Sequence, residues 1–332
     1  MKKLLLTLKA WWQKPLVRLL TSLLILGIIF TQLPLADLWQ TLRQVSPGLW
    51  LLAVAVFIAG HAAGVVKWTL LINIGRGQIP FTATFRYYFA GLFANLFLPS
   101  IAGGDVVRAG MAIGYRPRQK EAVVLGSLLD RFLDMLALAA LIVIGGLLSP
   151  LALAAEDKTA LWVMFGLLLL GLIGGALLLL MPLPARLPAK LTALILRVRH
   201  LVAELFKNPW RAVIGLLLAV GIQSAFVLLN AFLGRAIGLD LALPVWFLAW
   251  PLAKLSATLP ISLGGLGVRE AALVIFLGRF GVPAAGAVAV GLLWQTILVA
   301  GGAFGGIFYM LAGRHAPAEF QAVVPSNGEI SS

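Results

Sequence analysis

The chain has 332 residues, 61% of them hydrophobic and 11% charged, with a mean hydropathy of +1.01; so little polar surface cannot wrap a water-soluble globule, and lipid is the expected solvent. The net charge is +14, but the Lys and Arg are not gathered into a basic face interleaved with aromatics, so nucleic acid is not an expected partner. The absence of Cys excludes disulfides, thiolate nucleophiles and iron–sulfur clusters, and His61, His200 and His315 are too far apart for a recognisable zinc site, so neither metal nor cofactor is expected.

A spanning helix needs about 20 largely apolar residues, and six runs qualify, at roughly 16–34, 49–72, 120–148, 160–182, 211–236 and 285–312. Lys2, Lys3, Lys9, Lys14 and Arg18 precede the first run, and no small-x-small cleavage site follows it. That pattern predicts an uncleaved first helix with its N-terminus in the cytoplasm.

The second run returns to the cytoplasm at Arg76, yet the basic group Arg116, Arg118 and Lys120 belongs on the same side under the positive-inside rule. The stretch 80–114 therefore enters and returns. Its shape fits: an apolar arm over 81–98, a Pro-Ser-Ile-Ala-Gly-Gly break, then an arm too short to span alone. Beyond the third span, the acidic pair Glu156 and Asp157 faces outside. The segment 190–206 sets Arg197 and Arg199 among Leu191, Leu194, Ile195, Leu201 and Val202, the pattern of an amphipathic helix on the cytoplasmic leaflet or of a solvated linker helix. The second apolar stretch, 243–280, starts from outside, and the last span carries Arg314 back to the cytoplasm. This leaves only Arg43, Lys158, Arg235 and Arg279 on the outer side.

The predicted architecture is thus an all-α polytopic membrane protein of the cell inner (cytoplasmic) membrane. It has six full spans plus two re-entrant broken-helix hairpins in an inverted-topology repeat, with both termini cytoplasmic. Residues 1–315 form one integral membrane domain, and the polar segment 316–332 is expected to be a disordered tail.

The repeat rests on the motif Leu-Pro-x3-Gly-Gly-x3-Arg, present at 98–108 and again at 259–269. Pro99, Gly103, Gly104 and Arg108 recur as Pro260, Gly264, Gly265 and Arg269 at one offset of 161 residues (99 to 260, 108 to 269). The repeats run over about 47–148 and 209–312. An odd number of crossings separates them, so they enter from opposite faces, an arrangement that places a transport site at the bilayer midplane. Irregular backbone at that depth is tolerated only inside protein or along a wet cavity, so the two breaks mark the expected cavity. Each Gly-Gly is expected to open a half-helix whose free N–H groups and roughly +0.5 of dipole charge attract anions, with Arg108 and Arg269 about one turn further in.

Several charges are set within membrane depth. Asp105 and Arg108 are three apart on one half-helix, and Arg269 is followed directly by Glu270. Asp130, Arg131 and Asp134 lie about 15–20 Å along a helix starting near Lys120. A charge at such depth costs at least about 2.5 kcal/mol and is by default a functional hypothesis. Asp105, Arg108, Asp130, Arg131, Arg269 and Glu270 are therefore the candidate substrate-binding residues, with no catalytic residue assigned. Asp134 is expected to be a counter-ion pairing with Arg131 at i, i+3, and Lys67 and Arg86 are expected to snorkel to the cytoplasmic surface. Lys254 reads either way, and His61 reads as a packing residue in preference to a proton relay.

Three pieces of the chain, Asn95-Leu-Phe-Leu-Pro-Ser-Ile-Ala-Gly-Gly-Asp-Val-Val-Arg108, Leu128-Leu-Asp-Arg-Phe132 and Leu259-Pro-Ile-Ser-Leu-Gly-Gly-Leu-Gly-Val-Arg-Glu270, resemble the flippase-like family that includes the transmembrane region of lysylphosphatidylglycerol synthetases. The resemblance implies movement of a lipid headgroup between leaflets, as that region is thought to flip aminoacylated phosphatidylglycerol. The sequence carries no soluble synthetase segment, so the lysyl lipid is not itself implied, and other polar lipids or polyprenyl-phosphate carriers stay open. The expected function is a lipid flippase rather than an enzyme, with anionic or zwitterionic membrane lipids as partners. The alternatives are a membrane-embedded transferase or hydrolase using Asp105, Asp130 or Glu270 as general base, and a non-catalytic envelope scaffold.

Overall fold

The computed structural model describes residues 35–74, 79–98, 103–117, 120–149, 209–258 and 265–313, with isolated positions between 166 and 207. The predicted spans at 16–34 and 160–182, the segment 190–206, the tail, Arg76, Arg118, Pro99, Pro260 and Gly264 lie outside the described residues.

Every element among the described residues is helical. In chain order they are α1 (Leu35–Arg43), α2 (Pro47–Ile72), α3 (Phe81–Ala94), α4 (Gly103–Tyr115), α5 (Lys120–Leu148), α6 (Pro209–Ala236), α7 (Leu243–Ala257), α8 (Val268–Gly278) and α9 (Ala284–Gly313). Four stretches, Pro47–Ile72, Lys120–Leu148, Pro209–Ala236 and Ala284–Met310, are long and apolar enough to cross a bilayer. They coincide with four of the runs read from sequence, and the chain is a polytopic membrane protein.

Local chemistry sets the helix ends. Ser46 caps α2 by accepting the Leu49 N–H at 3.2 Å, and Pro47 fills the first helical position, where a missing N–H costs nothing. After α2, Asn73 holds the chain from both sides of its amide, donating to the Ile79 carbonyl at 3.0 Å and accepting from the Ile79 N–H at 3.1 Å. Arg211 on α6 donates to the Asn73 carbonyl at 2.7 Å, satisfying an acceptor beyond the helix end.

The two motif regions each give a pair of short helices, α3 with α4 and α7 with α8. They contain 14, 13, 15 and 11 residues, about 17–23 Å each at 1.5 Å per residue, well short of the roughly 30 Å hydrocarbon core. Small residues let these arms pack backbone to backbone. A Cβ on Gly104 would stand 2.2 Å from the Gly91 carbonyl oxygen and 2.6 Å from Asn95 Oδ1. Gly145 of α5 lies as tightly against the α7 backbone, with Leu248 N at 2.5 Å from an added Cβ, and Gly305 of α9 against Phe89 O of α3 at 2.6 Å.

These contacts have a regular pattern. Exchange α2 with α6, α3 with α7, α4 with α8 and α5 with α9, and the set of packed helix pairs among them is unchanged. Thus α3–α4 answers to α7–α8, α4–α5 to α8–α9, α5–α7 to α9–α3 and α2–α5 to α6–α9, while α2–α6 maps onto itself. The elements exchanged are those the sequence offset relates.

The polarity runs inside out relative to a soluble protein. Leu51, Leu52, Val213, Leu217 and Ile307 are exposed, whereas Lys67, Arg108, Asp130, Arg269 and Glu270 are buried. Between α2, α6, α7 and α9 lies an aromatic core in which Phe57 stacks on Phe226 at 5.6 Å and Trp250 meets Trp294 edge-on at 4.8 Å.

The close approach of α3 and α4 predicts that Gly104→Ala destabilises the protein by about 1–3 kcal/mol through overpacking. Gly110→Ala on the same helix, where an added Cβ meets nothing within 4 Å, is expected to be neutral or slightly stabilising. Thermal unfolding of both variants in detergent checks this, and equal melting of the two would contradict it.

Candidate functional site

One cavity of about 540 Å³ opens inside the helices, within the range of small-ligand pockets. Its lining draws on both motif regions, including Arg108 and Arg269, and on the spans α2, α5, α6 and α9.

On one side lies a network of three cations and three carboxylates. Lys67 Nζ stands 2.5 Å from Asp134 Oδ1 and 3.2 Å from Asp130 Oδ1. The Arg108 guanidinium reaches Asp130 Oδ2 at 2.7 Å and Asp105 Oδ1 at 3.0 Å, and Arg131 pairs with Asp105. Arg108 is also clasped between the rings of Trp68 and Tyr88, 4.8 and 4.7 Å from their centroids. Those rings are themselves tethered: Trp68 Nε1 donates to Ser127 Oγ at 3.0 Å, and the Tyr88 hydroxyl meets His61 Nδ1 at 3.3 Å. Among the described residues, Arg108 Nε is buried with no hydrogen-bond partner.

The second copy is built differently. Arg269 makes a fork with its neighbour, Nε at 3.0 Å and Nη2 at 2.7 Å from Glu270 Oε1, and Nη2 also donates to Gln295 Oε1 at 2.9 Å and Gly291 O at 3.3 Å. The other Glu270 oxygen accepts the Gly267 N–H at 2.6 Å. At the 161-residue offset, the partners of Arg269, Gly291 and Gln295, answer to Asp130 and Asp134 (130 to 291, 134 to 295). The second copy thus uses a backbone carbonyl and an amide where the first uses carboxylates, and takes its negative charge from Glu270.

Several expectations change. Lys67 does not snorkel: it is 2% exposed and ion-paired, because α2 packs on α5 and brings two carboxylates within its reach. Asp134 pairs with Lys67 rather than Arg131, which turns instead to Asp105 on α4. At each half-helix N-terminus one N–H is already taken by the protein. The Gly104 N–H is taken by Asn95 Oδ1 at 2.7 Å, and the Gly267 N–H by Glu270. Arg269 is not a turn inside its helix, since Gly265 and Gly267 adopt φ of +79° and +83° in a turn that delays the start of α8 to Val268. Glu270 is fully buried beneath Arg269 and lies off the cavity lining, whereas Asp105, Arg108, Asp130, Arg131 and Arg269 all line it.

Polar side chains of the lining that sequence reasoning does not single out include Lys67, Gln223 and Gln295. Lys67 was set aside by its nearness to a helix end. Gln223 and Gln295 are amides in the middle of apolar spans, a signal that polar contacts are made there. Gln223 joins the two sides, donating to Asp134 Oδ1 at 3.2 Å and accepting from Lys254 Nζ at 2.7 Å. His61 also lines the cavity. Among the described residues no group of acidic and histidine side chains is arranged to hold a metal ion.

The fold and site define a polytopic helical membrane protein that gathers its buried charges around one internal cavity. The chain belongs to the family described as the lysylphosphatidylglycerol synthase TM region, whose profile matches residues 16–306, a membrane domain related to lipid handling. Comparison with the curated proteins and with the solved structures returns no match.

Removing one member of a buried ion pair leaves its partner uncompensated, at about 3–5 kcal/mol. Lys67→Met is therefore expected to destabilise the protein by about 3 kcal/mol, and adding Asp134→Asn to recover a substantial part. Additive losses across this double-mutant cycle would show that the pair is not coupled.

Proposed function

We propose that this protein moves a polar-headgroup lipid between the leaflets of the cell inner membrane. The observation that carries the reading is a cavity lined by the arginines of both motif copies. In this reading the acyl chains stay in lipid while the headgroup enters the cavity, where preformed ion pairs replace its hydration. Asp105, Arg108, Asp130, Arg131 and Arg269 make the contacts, and Glu270 holds Arg269 in place.

The membrane arrangement proposed with it has six spans, two re-entrant hairpins and both termini in the cytoplasm. Residues 1–315 form one domain of two inverted repeats, followed by a cytoplasmic tail. The exchange pattern of the packed helices supports two repeats related by a pseudo-two-fold axis, the relation on which alternating access by rocking depends. The chain acts on the lipid by binding rather than by chemistry. The engagement of Asp105, Asp130 and Glu270 by cations supports that reading.

Reconstitution into vesicles carrying headgroup-labelled phospholipids tests the function. The intact protein is expected to speed exchange of label between leaflets, and Arg108→Gln or Arg269→Gln to slow it about tenfold, the effect of about 1.4 kcal/mol on the crossing barrier. No acceleration across a panel of anionic, zwitterionic and polyprenyl-phosphate lipids would overturn the proposal.

The topology has its own test, because the chain holds no native Cys. Single cysteines at Tyr115→Cys, after α4, and Arg279→Cys, after α8, should react with an impermeant maleimide from opposite faces of the membrane. Labelling of both from the same face would refute the inverted arrangement.

A further inference from the structure

The charges lining the cavity do not balance, and the excess lies at one residue. Lys67, Arg108, Arg131, Lys254 and Arg269 line it together with Asp105, Asp130 and Asp134, and Glu270 backs Arg269. That is five cations against four carboxylates. Four of the cations have a carboxylate within ion-pair distance. Among the described residues Lys254 has none. Its ammonium donates to the neutral amide oxygen of Gln223 at 2.7 Å and lies 5.2 Å from the centre of the Phe226 ring. An ammonium has three protons to donate, and these contacts use one hydrogen bond and one ring face.

The carboxylates are in the opposite condition. Asp105 is held by Arg108 and Arg131, Asp130 by Lys67 and Arg108, Asp134 by Lys67 and Gln223, and Glu270 by Arg269 and a backbone N–H. Asp130 Oδ1, 3.2 Å from Lys67 Nζ, makes no hydrogen bond, but every carboxylate already faces a cation, so an incoming cationic headgroup would share its charge compensation with one already in place. An incoming phosphate displaces nothing but the hydrogen bond from Lys254 to Gln223, and supplies the charge Lys254 lacks.

Resting on the lipid-moving reading above, we propose that Lys254 is the phosphate anchor of the cavity, and that the cargo is a net-anionic phosphodiester lipid rather than a cationic, aminoacylated one. The ammonium of Lys254 exchanges the Gln223 oxygen for a phosphate oxygen, and Gln223 retains its bond to Asp134. The anchor belongs to one repeat only, since the position answering to Lys254 at the 161-residue offset is Phe93 (93 to 254).

Binding separates this inference from the flipping activity. Short-chain phosphatidylglycerol, its lysyl ester and inorganic phosphate are titrated onto the full chain in neutral detergent and followed by tryptophan emission, because Trp250 and Trp294 line the cavity. Phosphatidylglycerol is expected to bind at least about tenfold more tightly than the lysyl ester, the scale of one charge-assisted contact. Lys254→Gln should abolish that preference and Lys254→Arg should keep it. Gln223→Glu, a near-isosteric change that gives Lys254 an internal carboxylate, should also weaken phosphatidylglycerol binding, and it decides the matter if Lys254→Gln does not fold. Tighter binding of the lysyl ester, or unaltered phosphatidylglycerol affinity in folded Lys254→Gln or Gln223→Glu, would overturn the proposal. So would displacement of the lipid by equimolar inorganic phosphate, which would make this a site for free phosphate. Selective binding without leaflet exchange would instead count against the flippase reading and leave the anchor standing.

Discussion

A charge inside a bilayer must carry its compensation with it, and the pair formed by Arg108 and Asp130 across α4 and α5 is where this protein meets that demand most fully. Both side chains are buried and stand 2.7 Å apart. Each is then shared outward, Asp130 with Lys67 of α2 and Arg108 with Asp105 on its own helix. The short arm α4 is pinned to α5 by charge and to α3 by a glycine contact. The chain contributes little hydrophobic force of its own here, because lipid tails are as apolar as leucine. Close backbone packing and a satisfied ionic network supply the specificity instead.

The two motif copies meet the same demand by different means. In the first, the arginine finds carboxylates on a neighbouring span and is flanked by two rings; in the second, the carboxylate is its own sequence neighbour, and the neighbouring span contributes an amide and a carbonyl. The amide of Asn95 and the carboxylate of Glu270 cap one N–H at the start of each short helix. One donor at the start of each short helix is thus satisfied by the protein itself, and the cation of the lining that has no carboxylate within ion-pair distance among the described residues is Lys254.

Much of this was legible in the sequence. Span lengths follow from apolar runs, and the four described spans lie within a few residues of the predicted ones. The broken segments follow from Pro and Gly within apolar stretches, and the list of deep charges follows from counting along a helix. The partners of those charges did not follow, for a physical reason. Pairing by i, i+3 spacing is weak, and an oppositely charged side chain on an adjacent helix at the right depth outcompetes it, as Asp105 does for Arg131 and Lys67 does for Asp134. Depth along a helix also misjudged Lys67, because a side chain snorkels only when nothing nearer compensates it. Glu270 was recognised as important, but from its neighbour alone its role in holding Arg269 is not distinguishable from contact with cargo.

Gln223 shows what kind of group allows such a network to change state. If the cavity were closed by ion pairs alone, opening it toward either leaflet would require separating buried charges, at several kcal/mol for each pair. A neutral amide, Gln223 of α6, stands between Lys254 on α7 and Asp134 on α5 with one hydrogen bond on each side, worth about 1.5–3 kcal/mol apiece, and the bond to Asp134 crosses between repeats. Each repeat keeps its own arginine compensated by its own acids, so the ion pairs of the cavity lie within repeats. The repeats meet through the packing of α5 on α7 and of α3 on α9, the aromatic core, and the hydrogen bonds of Gln223 to Asp134 and of Arg211 to Asn73.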